Sequence, residues 1–147
     1  MQEQLLDLIG LKILVVDNDV DCQVLYACLL ESVGAAVMTV GSVCEAFATL
    51  TQFAPDILIS EIALPKEDGY DFLRQLRALE AESGQFLPAI AVSAYVQGND
   101  DLLALAAGFQ KWIPKPVDID RFVNTISQVA QQKRSDRCGI RENSIAV

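Results

Sequence analysis

The feature that most constrains this chain is an alternation: short apolar, β-branched runs are separated by longer amphipathic stretches, with no hairpin signal between them. "KILVV" (12–16), "AAVMTV" (35–40), "DILIS" (56–60), "AIAVS" (89–93) and "FQKWI" (109–113) read as five strands. Runs so free of alternation are buried on both faces. The intervening stretches read as helices. "VDCQVLYACLLESVG" (20–34) places Val24, Leu25, Cys28 and Leu29 on one inward face and stops at Gly34. Ser42 caps a helix through Phe53 with Val43, Phe47 and Leu50 inward, and a third helix after Gly69 buries Phe72, Leu73, Leu76 and Leu79. A short helix (99–108) runs from an Asn99 cap to Gly108. The last starts at Asp118 with Ile119, Phe122, Val123, Ile126, Val129 and Ala130 repeating at three and four.

Five βα units joined by right-handed crossovers give an α/β fold, a doubly wound parallel sheet with helices on both faces. "FQKWI" is the most polar strand and so belongs at an edge. Residues 1–11 form an N-terminal extension, a short apolar helix or a loose linker. Residues 12–130 form the domain, and 131–147, where the periodicity fades, read as a mobile tail.

Composition narrows the function. With 147 residues, 52% apolar and 21% charged, the chain suits one globular domain. A net charge of −9 repels nucleic acid and anionic membrane. No apolar run reaches spanning length and the acidic start is unlike a signal peptide, so the expected location is cytoplasmic. Cys22, Cys28, Cys44 and Cys138 have no CxxC spacing and read as reduced, buried thiols. The absence of histidine removes Ser-His and Cys-His catalysis, His-ligated metals and any phosphohistidine on this chain.

In a doubly wound sheet, sites form beyond the carboxyl ends of the strands. Those ends carry Asp17-Asn18-Asp19, Glu61, Ser93-Ala94 and Pro114-Lys115-Pro116. Asp19 by itself reads as a helix cap. Together the four strand ends bring two carboxylates, a hydroxyl and a lysine to one pocket. The acidic "DND" would repel a flavin phosphate. A hydrolase using Asp17 would have only Lys115 as a ready proton donor. Both are minor alternatives.

The stretches "ILVVDND", "DILISEIALPKEDGYDF", "AIAVSAY" and "AAGFQKWIPKPV", in this order and spacing, resemble the receiver domains of two-component response regulators, the CheY-like domains, over residues 12 to 130. The wording is similar to receivers appended to bacterial hybrid histidine kinases. The resemblance implies a flavodoxin-like (βα)5 sandwich with strand order 2-1-3-4-5. It implies phosphoryl transfer from a kinase histidine to an aspartate ending the third strand, with Mg²⁺ held by acids. The domain would signal without being an enzyme.

On that pattern the paired acids are Asp17 and Asn18, and the acceptor position, four residues before Pro65, is Glu61. Ser93 matches the phosphoryl-sensing hydroxyl, Lys115 the pocket lysine preceding a cis peptide bond with Pro116, and Trp112 the switch aromatic. The partner face of helix four, strand five and helix five would present Tyr95, Gln110 and Trp112. A homodimer through it is open. The departures matter most. Glutamate is longer than aspartate by one carbon–carbon bond, roughly 1.5 Å, and misplacement of about 1 Å costs ~100-fold in rate. Asn18 replaces a charged ligand by a neutral one, so Mg²⁺ through Asp17, Asn18 and Glu61 should be weak or absent. Glu61 is then expected to stand as a partial mimic of the phosphorylated aspartate, in a pseudo-receiver with a histidine kinase or downstream effector as partner. A receiver still phosphorylated by its kinase is the alternative, and an inert docking domain is a third reading.

Overall fold

The computed structural model describes residues 8–94 and 98–146, with side chains through residue 132. Five parallel strands, β1 (Lys12–Val16), β2 (Ala36–Val40), β3 (Ile57–Glu61), β4 (Ala89–Ser93) and β5 (Lys111–Pro114), form one sheet of order β2-β1-β3-β4-β5. They alternate with α1 (Val20–Ser32), α2 (Val43–Phe53), α3 (Gly69–Ser83), α4 (Asp100–Ala107) and α5 (Ile119–Ala146). This is the (βα)5 sandwich the alternation predicts.

The doubly buried strands split their side chains between two cores. Ile13, Val15, Ile57, Ile59, Ile90 and Val92 face α1 and α5, where Tyr26 stacks on Phe122 with ring centroids 5.1 Å apart. Leu14, Val16, Leu58, Ala89 and Ala91 face α2, α3 and α4, where Phe47 meets Phe72 edge-on at 5.2 Å. Small Ala89 and Ala91 leave the room that Phe72 and Phe109 fill.

Several boundaries and faces differ from the sequence reading. In α1 the inward residues are Tyr26 and Leu30, backed by Cys22, Leu29 and Val33, whereas Val24, Leu25 and Cys28 lie outside. The helix is apolar nearly all round, so periodicity could not choose its face. Leu79 and Ile119 are also exposed. Cys28 and Cys44 are exposed free thiols and Cys22 is half-buried, against the expected buried set; the Cys138 side chain lies outside those described.

Residues 8–11, the described part of that extension, are packed against the domain. Leu8 is fully buried, and the Gly10 N–H donates to the Gly34 carbonyl at 3.1 Å. Gly34, at φ +100°, must lack a side chain, because a Cβ there would come within 2.7 Å of Ile9 Cγ1. Residues 1–7 lie outside the described residues. At the other end the backbone is helical to Ala146, past the expected limit near residue 130. No helix among the described residues is long and apolar enough to cross a membrane.

Candidate functional site

The carboxyl ends of β1, β3, β4 and β5 meet, as the strand-end reading predicts, and local chemistry shapes each contribution. Asp19 leaves the strand as the N-cap of α1, its side chain accepting the Asp21 N–H at 2.9 Å. The Asp19 N–H in turn donates to Asp17 Oδ1 at 2.9 Å, which turns the Asp17 carboxylate inward. Asp17 is 1% exposed and Glu61 6%. Asn18, between two anchored acids, points its residue to solvent. The cis bond between Lys115 and Pro116 is present.

Lys115 crosses the pocket. Its Nζ donates to Asp17 Oδ2 at 2.9 Å and to Glu61 Oε1 at 2.7 Å. The second Glu61 oxygen, Oε2, accepts the Ile62 N–H at 2.6 Å and the Ala63 N–H at 3.0 Å. The glutamate therefore curls back onto the first amides of its own loop while its other oxygen holds the lysine. A buried carboxylate is costly unless paired and hydrogen-bonded, and Glu61 is both. Burial pulls the Lys115 ammonium down, but its hydrogen bonds to Glu61 and Asp17 outweigh that and hold its pKa above the usual lysine range. Beneath the lysine, burial pushes the Tyr26 phenol and the Cys22 thiol up.

Ser93 is buried at the end of β4, between β3 and β5. Trp112 is half-buried against the second core, and its Nε1 is enclosed without a hydrogen-bond partner among the described residues. Gln110, expected on the partner face, is half-buried, and its Oε1 accepts the Ala89 N–H at 2.6 Å. Tyr95 lies outside the described residues. Sequence reasoning missed the Ile62 and Ala63 amides, which no residue type signals, and Gln23, whose side-chain amide donates to the Asp17 carbonyl. The position of Gln23 in the first turns of the capped α1 was the available clue.

Among the described residues no group of three or more His, Cys, Asp or Glu side chains is placed to hold a metal. All four carboxylate oxygens of Asp17 and Glu61 already accept hydrogen bonds, and the third position is a neutral, exposed amide.

The parallel sheet thus brings two buried acids, a lysine and a buried hydroxyl to its strand ends. The family model described as "Response regulator receiver domain" matches residues 13–127, and the chain belongs to that family. It is thus a two-component signal-transduction domain rather than an enzyme. It is 36% identical over 118 residues to the "Uncharacterized 14.6 kDa protein in sodA1 3'region" of Leptolyngbya boryana, covering 80% of this chain and 88% of that one. It is 33% identical to the hybrid signal transduction histidine kinase D of Dictyostelium discoideum over 80% of this chain but only 8% of the kinase. Among solved structures, a CheY-like receiver domain protein from Methanospirillum hungatei superposes with a TM-score of 0.77 at 22% identity, covering 86% of this chain and 98% of that one.

Proposed function

We propose that this domain is a pseudo-receiver in which Glu61 supplies a permanent negative charge where other receivers acquire a transient one, and that its output is a protein–protein contact. The carrying observation is that the Glu61 carboxylate bridges the Lys115 ammonium and the Ile62 and Ala63 amides. A phosphoryl group on a strand-end aspartate would place its oxygens among such donors. With one charge rather than nearly two, and two oxygens rather than three, the mimicry is partial. The neutral Asn18 and the hydrogen-bonded oxygens of Asp17 and Glu61 support a state that does not depend on Mg²⁺. Likeness to receiver segments of histidine kinases supports a kinase or an effector as the partner, met in the cytoplasm.

The chain has a single tryptophan, Trp112, so its emission reports on this end of the sheet. Acetyl phosphate with Mg²⁺ should leave the wild-type mass and Trp112 emission unchanged. Glu61→Gln, which keeps the size and removes the charge, should shift the emission. Glu61→Asp with Asn18→Asp should restore both metal response and phosphoryl uptake. Stoichiometric phosphorylation of the wild-type chain would refute the proposal in favour of a working receiver.

A further inference from the structure

The two edges of the sheet are built differently. β5 carries an exposed Lys111 at its start, a charge of the kind that keeps edge strands from pairing. β2, "AVMTV", has no charge, no proline and no glycine. It ends the sheet order, so its outer side has no strand partner among the described residues. Its backbone polarity follows from the ladder. The Ala36 N–H donates to the Leu11 carbonyl and the Val40 carbonyl accepts the Asp17 N–H, so residues 36, 38 and 40 serve β1. The N–H and C=O groups of Val37 and Thr39 therefore point away from the sheet. Met38, between them, is 41% exposed.

We propose that this edge is a self-association surface for a second copy of the chain, pairing β2 with β2 antiparallel about a two-fold axis at Met38. The pattern is self-complementary. Val37 of one copy and Thr39 of the other exchange both N–H···O=C bonds, the reverse pair does the same, and Met38 faces Met38 in the closer, non-hydrogen-bonded site. No charge meets a like charge within the strand pair. The same operation sets the two α1 helices, each packed over β1 and β2, side by side. Gln23 lies beside Gly41 at the end of β2, and its flank of α1 carries exposed Val20 and Val24 together with exposed Glu31.

Sedimentation of the full-length chain at physiological salt tests this. The expected species has about twice the 16.0 kDa chain mass at the higher concentrations. Met38→Lys puts two ammonium groups face to face and should give monomer with unchanged circular dichroism. Thr39→Pro, which removes an outward N–H from the edge strand, should also give monomer. Leu105→Lys, on exposed α4 at the far side of the sheet, should leave the dimer intact. A wild-type chain that stays monomeric at every soluble concentration overturns the proposal. So does a dimer that survives Met38→Lys, or one that Leu105→Lys dissolves.

Discussion

Lys115→Met is the sharpest probe of how the site is held together. Methionine keeps most of the length of the side chain and removes the ammonium, leaving the carboxylates of Asp17 and Glu61, 1% and 6% exposed, facing each other without a cation. Breaking a buried pair in this way costs about 3–5 kcal/mol. Asp17 keeps the Asp19 amide and Glu61 keeps two backbone amides, which places the loss at the lower end, about 3 kcal/mol. For a domain of this size that is a fall in Tm of roughly 6–12 °C. Urea unfolding of wild type, Lys115→Met and Lys115→Met/Glu61→Gln gives the test. The double variant removes one of the stranded charges, so it should regain about 1 kcal/mol or more over the single one. The reasoning fails if Lys115→Met lies within about 0.5 kcal/mol of wild type, or if adding Glu61→Gln destabilises it further.

Other expectations can be checked on the same variants. The folded-state pKa values of Lys115 and Tyr26 are both raised, so each group contributes stability that is complete below its ordinary pKa of about 10 and is lost as pH climbs above it. Thermal scans from pH 8 upward should therefore show an alkaline loss, shallower in Lys115→Met and shallower again with Tyr26→Phe. Ser42→Ala removes the oxygen that accepts the Glu45 N–H at 3.2 Å to cap α2, and denaturant midpoints should report a loss of about 1 kcal/mol. Gly69→Ala would set a Cβ 2.5 Å from the Glu61 carbonyl oxygen, so unfolding should cost about 1–3 kcal/mol less and Trp112 emission should shift as the loop after Glu61 gives way.

The sheet was legible because its strands are buried on both faces and so cannot be mistaken for amphipathic surface. "AIAVS" matches β4 residue for residue, and Ser42 and Gly108 end their helices as their chemistry requires. α1 was misread because Val24, Leu25, Cys28, Leu29 and Leu30 leave it apolar on too many sides to favour one. Which side turns inward was decided by Tyr26 finding Phe122, a partner 96 residues away in sequence that no local pattern encodes. The Leu8–Leu11 turn was hidden for a related reason: its anchor is the Gly34 carbonyl, on a distant loop.

At the site, the residue types were readable and their pairing was not. Strand ends of a doubly wound sheet announce a pocket, and Asp17, Glu61 and Lys115 meet there, with Ser93 buried at the neighbouring strand end. The extra methylene of Glu61 lets one oxygen reach Lys115 while the other turns back toward Ile62 and Ala63, so one oxygen serves the loop and the other serves the lysine. An aspartate on the same backbone is one bond shorter, which limits its reach to both sets of donors at once. That difference makes the glutamate a brace between β3, its following loop and β5. Glu61→Asp alone should therefore loosen this end of the sheet, with earlier amide exchange at Ile62 and Ala63, before any question of phosphoryl transfer arises. Unchanged protection at those two amides would show that the charge, and not the length, of residue 61 holds the site.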